Sequence, residues 1–210
     1  MRLVLVRHAE TEKSARGRCY GSLDVGLSPA GKAQCARLAE ALAADRVAAV
    51  VSSPRTRALE TAQAIAEPHS VEVHVDSDLQ ELDFGELEGR PYDEIAEEMP
   101  DLYAAWMTTP TRVEFPGGES YADLARRARG AVERLRRQRV DGTAVAVTHG
   151  GIVRAVLADV LGIPDDRIFR IAVEPASVAI VEWVEDVPTL VALGGGAYPS
   201  TRADRSRFTP

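Results

Sequence analysis

The sequence predicts an α/β fold, a three-layer α/β/α sandwich around a mostly parallel sheet with a small helical cap insertion. Three observations carry this. The apolar runs at residues 3–6, 47–51 and 143–148 have the length and aliphatic content of buried strands. A stretch with helical apolar spacing follows each of them, directly or after a loop. Two of the runs, moreover, stop abruptly at a histidine, His8 and His149, and in open α/β sheets ligands bind beyond the carboxyl ends of the strands.

Taken in order, residues 3–6 form the first strand and end at Arg7-His8. An imidazole can be a nucleophile through one ring nitrogen when the other is held. The planar guanidinium beside it matches the oxygens of a phosphate. Residues 12–26, polar and carrying Gly17, Gly21 and Gly26, read as a loop walling one side of the crevice. Ser28-Pro29 opens a helix with serine as N-cap and proline at the first helical position. Ala33, Ala36, Leu38, Ala39 and Leu42 give its apolar stripe to about residue 44. Residues 47–51 are a second buried strand ending at Ser52-Ser53.

Residues 54–66 return to helix, with Arg55 and Arg57 in the first turn, where a helix end itself favours an anion. Arg55 reads as an exposed surface arginine. Residues 71–75 alternate Val-Glu-Val-His-Val, the pattern of a half-buried edge strand. His69 and His74 have no partner at metal-ligand spacing and read as solvated. Residues 79–89 then set Glu81, Asp83, Glu86 and Glu88 among Leu79, Leu82, Phe84 and Leu87. Anchors of that kind can bury a carboxylate, which raises its pKa and makes it a usable acid near neutrality.

Residues 91–118, helical material broken at Pro100 and followed by a Pro/Gly loop, read as a cap or lid between core elements. From 119 to about 139 a long helix carries Tyr121, Leu124, Ala128, Val132 and Leu135 along one face. Arg126, Arg127, Arg129, Arg134, Arg136, Arg137 and Arg139 are assigned to its solvated face and C-terminus, where cations are favoured. Residues 143–148 are a buried strand ending in His149-Gly150-Gly151. Those glycines allow close approach of backbone to a ligand and an abrupt turn into a helix from about 152 to 161. Residues 177–184 and 189–193 read as a final strand pair. The expected organisation is one domain over 1–193, with 194–210 a loose tail.

At 210 residues the chain suits one substantial domain. A net charge of −7 argues against a general nucleic-acid surface, yet leaves room for a locally basic site that takes a small anion. No apolar run approaches the ~20 residues of a membrane span. Met1-Arg2 leads straight into a strand with no leader-like segment, so a cytoplasmic location and reduced Cys19 and Cys35 are expected. No carboxylate cluster is suited to Mg²⁺, so neither metal nor cofactor is expected. The expected partner is a small phosphorylated substrate, without nucleic acid or membrane, on a monomer or homodimer.

Arg7-His8-Ala9-Glu10-Thr11 resembles the opening signature of the histidine phosphatase superfamily, the phosphoglycerate-mutase-like fold, with alanine where glycine is usual. Ser52-Ser53-Pro54-Arg55-Thr56-Arg57-Ala58 resembles its second element, in which the arginine before Ala58 binds phosphate. The resemblance therefore selects Arg57 over Arg55. Leu79-Gln80-Glu81-Leu82-Asp83-Phe84-Gly85 is similar to the third and carries over Glu81 as proton donor. Thr148-His149-Gly150-Gly151 resembles the fourth. The resemblance implies that His8 attacks phosphorus and that Arg7, Arg57 and His149 neutralise the phosphoryl oxygens. Glu81 would serve as acid and then as base, with no metal. Ser14 stands where the family often has a phosphate-binding asparagine.

For substrate, Gly17-Arg18-Cys19-Tyr20-Gly21-Ser22-Leu23-Asp24-Val25-Gly26-Leu27-Ser28 with Phe115-Pro116-Gly117-Gly118-Glu119-Ser120 is most like the α-ribazole phosphatase branch, which acts late in cobalamin assembly. This adds Tyr20, Gly21 and Gly150 to Ser14 as expected substrate contacts. Tyr20, Tyr103 and Trp106 are candidates to stack on a flat base, and Tyr103 and Trp106 could instead pack the cap onto the core. Related branches cleave phosphoserine, sugar phosphates or mixed esters. A phosphoglycerate mutase is expected to have a longer cap and an ordered C-terminal segment. A phosphate-binding module without catalysis is expected to have lost His8 or Glu81.

Overall fold

In the computed structural model, which describes residues 1–194, the apolar runs form a six-stranded sheet ordered β3-β2-β4-β1-β5-β6. Strands β1 (Arg2–Arg7), β2 (Val47–Ser52), β3 (Val73–Val75) and β4 (Thr143–Thr148) are parallel to one another. The last two, β5 (Val178–Val184) and β6 (Val187–Gly194), make an antiparallel hairpin that joins through β5 to β1. Side chains alternate across the central strands. Leu3, Leu5, Ala144 and Ala146 pack under α5 (Tyr121–Arg137) and α6 (Gly150–Leu161). Val4, Val6, Val145 and Val147 pack under α1 (Pro29–Leu42) and α2 (Thr56–Ala66). Helices on both faces explain why the inner residues of these strands, 3–6 and 144–147, are apolar at every position and not at alternate ones. The expected three-layer sandwich is the observed one.

Local chemistry sets the helix ends. Ser28 Oγ accepts the Gly31 N–H at 2.9 Å, the cap expected of Ser28-Pro29. Ser120 and Asp123 form a reciprocal capping box, so α5 opens at Tyr121 and not at 119. The chain stays extended through Arg55, so α2 opens at Thr56, two residues past the expected start. At the other end of the chain, α6 opens at Gly150 with His149 as its N-cap, earlier than the expected 152. Gly194 closes β6, and the rest of the tail expected to be loose lies outside the described residues.

The cap consists of α3 (Tyr92–Glu98) and α4 (Pro100–Thr108), broken at Met99-Pro100 as expected. It has an apolar cluster of its own in which Cys19, Leu87, Ile95, Val113 and Phe115 are buried. The Trp106 ring lies 5.3, 5.6 and 5.2 Å from those of Phe84, Tyr92 and Phe115. Trp106 and its neighbour Tyr103 thus take the packing role. Backbone bonds stitch the cap to the loop beyond β1: Cys19 N to Arg90 O at 2.9 Å, Gly89 N to Cys19 O at 2.7 Å, and Tyr92 N to Gly17 O at 2.9 Å. Gly21 lies in this seam so tightly that a Cβ there would sit 1.8 Å from Leu82 O. Both cysteines are free and buried, Cys19 in the cap seam and Cys35 on α1. No helix among the described residues is long and apolar enough to cross a membrane.

Candidate active site

Three parallel strands end at one level. β1 and β4 are neighbours with Arg7 opposite Thr148. His8 N donates to Thr148 O at 2.8 Å, and Ser53 N, just past β2, donates to Val147 O at 3.0 Å. His8, Ser53 and His149 therefore leave the sheet side by side. All three are buried, and the two imidazoles lie 5.1 Å apart between ring centroids in an edge-on arrangement.

The hydrogen bonds assign the ring protons. His8 Nδ1 lies 2.8 Å from Ala9 O. A carbonyl can only accept, so Nδ1 carries the proton and Nε2 presents its lone pair. Burial, reinforced by the Arg57 charge, pulls the His8 pKa down from 6.5 to about 3, so the ring is neutral at physiological pH. His149 Nε2 lies 2.7 Å from Ser53 Oγ. That oxygen also accepts from Arg55 N at 3.4 Å, and Nε2 is the one acceptor among the described residues that the serine proton meets, so the hydroxyl donates to Nε2 and the His149 proton sits on Nδ1. Complete burial, then Arg57 and His8, holds the His149 pKa well below its ordinary value. His149 Nδ1 is buried with no partner among the described residues.

Arg57 is fully buried in the first turn of α2. Its Nη1 donates to Leu23 O at 2.9 Å and its Nη2 to Gly21 O at 2.7 Å. The Tyr20 ring lies 5.3 Å from its guanidinium carbon. The loop that grips Arg57 is itself held by Glu88, whose carboxylate accepts N–H bonds from Gly21, Ser22 and Leu23 at 2.7–3.1 Å. Arg7, at the end of β1, donates from Nη1 to Val173 O. The Nε groups of Arg7 and Arg57 are buried without partners among the described residues.

Glu81 differs from its expected setting. It is half-buried, and polar backbone holds it in place of an apolar pocket. Gly151 N donates to both carboxylate oxygens at 3.1 Å and Leu82 N to Oε1 at 3.0 Å. The Glu81 carboxyl group is thus seated on the first turn of α6 by backbone N–H groups. This seating also explains the glycine pair. A Cβ on Gly151 would lie 2.2 Å from Glu81 Oε1, and one on Gly150 would meet Arg154 Nη1 at 3.0 Å and Arg7 at 3.7 Å. The space those glycines leave is filled by the protein's own acid and arginines.

Other residues fall further from expectation. Ser14 is exposed, with its hydroxyl 3.4 Å from Glu12 Oε2. Arg55, expected on the surface, is half-buried and donates to Gln80 Oε1 at 2.5 Å. His74 is exposed as expected, whereas His69 is half-buried with its Nε2 unpartnered among the described residues. Arg127, placed with the solvated arginines, turns inward to the segment that carries Glu81. Ser53 and Glu88 also build the site, through His149 Nε2 and through the 21–23 backbone. The Ser52-Ser53 pair at the end of β2 does not by itself single out Ser53, and nothing in the pattern marks Glu88 among its acidic neighbours. Among the described residues, no group of three or more His, Cys, Asp or Glu could hold a metal ion.

Fold and site together define an α/β protein with a neutral, oriented histidine at a strand end, flanked by a second histidine and two arginines. The chain belongs to the histidine phosphatase superfamily, branch 1, whose model matches residues 3–195. It is similar to phosphoserine phosphatase 1 of Hydrogenobacter thermophilus, 35% identical over 88% of this chain and 88% of that protein. It is also similar to glucosyl-3-phosphoglycerate phosphatase of Mycolicibacterium vanbaalenii, 37% identical over 79% and 76%. Among solved structures, the α-ribazole phosphatase of Shigella flexneri superposes with a TM-score of 0.83 at 26% identity, over 92% of this chain and 96% of that one. Some curated relatives are longer, and the chain spans about half of their length, 53%.

Proposed function

We propose that this protein is a metal-independent phosphomonoesterase working through a phosphohistidine on His8. The observation that carries the reading is His8 itself: neutral, with its Nδ1–H on Ala9 O and its Nε2 lone pair free of partners among the described residues. Around it, the donors of Arg7, Arg57 and His149 include buried N–H groups without partners among the described residues. Buried unpaired donors cost roughly 1–3 kcal/mol each, a cost that binding an anion would relieve. Nε2 forms the N–P bond as the ester P–O bond breaks. Arg7, Arg57 and His149 meet the charge on the phosphoryl oxygens. Glu81 gives its proton to the leaving oxygen. The resulting carboxylate takes a proton from water as that water's oxygen displaces His8, releasing phosphate and restoring the acid.

The substrate is a small phosphorylated metabolite, with α-ribazole 5′-phosphate and phosphoserine as the two leading candidates. Likeness to the Shigella enzyme and the position of Tyr20 beside Arg57 support the first. Likeness to the Hydrogenobacter enzyme supports the second. Packing of Trp106 and Tyr103 within the cap leaves Tyr20 alone to stack on a base. The cap, α3 and α4, is short, which favours hydrolysis over the mutase alternative.

A panel of phosphomonoesters compared by kcat/KM tests both levels of this reading. The true substrate is expected to lead by orders of magnitude, because binding energy from its remote part is used at the reacting phosphate. A flat panel refutes a dedicated metabolite. Label from a phosphate donor should be lost in acid and kept in alkali, and chelators should leave turnover unchanged. Undiminished turnover in His8→Ala refutes the mechanism.

A further inference from the structure

Arg127 lies half-buried on α5, one position before the core residue Ala128. Its Nη1 donates to Asp78 O at 2.9 Å and to Gln80 O, and its Nη2 to Glu81 O at 3.0 Å. The same guanidinium pairs with Glu119, through Nε at 3.1 Å and through Nη2. Glu119 continues the clasp: its Oε1 accepts Asp83 N at 3.1 Å, and its own N donates to Asp83 O at 3.0 Å. From the opposite side, Thr148 Oγ1 donates to Leu79 O at 2.6 Å. The backbone at 78, 79, 80, 81 and 83 is thus fixed from two directions, with Glu81 between them. Apart from the Arg127–Glu119 ion pair, every one of these bonds is made to backbone of residues 78–83, so the clasp touches no reacting atom.

We propose that Arg127, held by Glu119, is a positioning residue that sets the Glu81 carboxylate for proton transfer to the leaving oxygen. The inference rests on Glu81 being the acid. A single planar fork reaches three carbonyls and a carboxylate at once, which an ammonium on a flexible stem cannot do. Proton transfer needs donor and acceptor within hydrogen-bond reach, and misplacement by about 1 Å can cost on the order of 100-fold. The half-buried side of Glu81 has its own partners, Gly151 N and Leu82 N. The carboxylate therefore follows wherever the backbone of 79–83 is put relative to α6.

A clasp of this kind has a signature that simple loss of stability lacks. Esters with a poor alkyl leaving group need the proton, whereas an aryl ester such as p-nitrophenyl phosphate departs without it. The experiment measures the rate of phosphoryl-His8 formation in single turnovers on phosphoserine and on p-nitrophenyl phosphate. Wild type, Glu81→Gln, Arg127→Met and Arg127→Lys are compared. In Glu81→Gln the alkyl-to-aryl rate ratio should fall by about 100-fold or more. In Arg127→Met it should fall by at least about tenfold, with Arg127→Lys between that variant and wild type. Arg127→Lys keeps the charge and carries the test if Arg127→Met does not fold. A ratio that falls in Glu81→Gln and stays constant in both Arg127 variants overturns the positioning role alone. A ratio unchanged in Glu81→Gln removes Glu81 as the acid, and this inference falls with it.

Discussion

The buried histidine pair should make the protein weaken on mild acidification, and His8 gives the size of the effect. Its pKa is about 3 in the folded protein against 6.5 unfolded, because burial and Arg57 disfavour the charged ring. Between those values the unfolded chain binds a proton at this position that the native state refuses. Stability therefore rises with pH across the window, is complete above about 6.5, and is lost progressively as pH falls toward 3. The slope is about 1.4 kcal/mol per pH unit for one group, so moving to pH 5 costs about 2 kcal/mol from His8. His149 is shifted in the same direction and adds to the loss. Urea unfolding at pH 7.5, 6 and 5, in buffers free of phosphate and sulfate, compares wild type with His8→Gln. The variant should lose about 2 kcal/mol less than wild type over this range. Equal pH slopes in the two proteins, or a His8 ring that titrates by NMR near 6.5, would refute the reasoning.

Other outcomes follow from single contacts. Gly151→Ala should expel the Glu81 carboxylate from Gly151 N and lower kcat on alkyl phosphates by about 100-fold, with little loss of stability; near-normal kcat would contradict the assigned geometry. Ser53→Ala leaves His149 Nε2 without its partner, and chemical denaturation should show a loss of about 1–3 kcal/mol. Gly21→Ala drives a Cβ into Leu82 O and should loosen the carbonyl grip on Arg57, read as a rise in KM on every ester of the panel. Trp106→Leu should lower the thermal midpoint without a selective change in KM for a benzimidazole-bearing ester, because the ring is engaged with Phe84 and Phe115.

Much of this was legible in the chain because burial on two faces leaves an unmistakable pattern. Residues 3–6 and 144–147 are apolar throughout, and the abrupt ends of their strands at His8 and His149 locate the site before any fold is drawn. The sequence points to Glu81 but not to its surroundings. Neighbouring leucines and Phe84 suggest apolar burial, and the sequence does not reveal that α6 will point its first N–H groups at the carboxylate. The inward turn of Arg127 is hidden for a related reason. Helical periodicity assigns an angle around α5, and position 127 flanks the stripe made by Leu124 and Ala128. Nothing local shows that the 78–83 segment lies over that flank and turns a solvent position into an interior one. Gly150 and Gly151 read as room for a ligand because glycine reports only that space is needed, not what occupies it.

Strand order has a consequence for how the molecule comes into being. β1 is the second residue onward of the chain, yet its two neighbours are β4 and β5, so its edges find no partner until residues 143–184 have been made. At roughly 5–20 residues per second of synthesis, the first strand waits on the order of ten seconds beside a growing half-sheet. A nascent chain that stops before β4 holds His8, Arg57 and Glu81 but lacks the strand that spaces His8 from the second histidine and the helix that anchors the carboxylate. The reactive centre is thus a property of the finished chain, closed by contacts some 140 residues apart that the slow, non-local step of folding must supply.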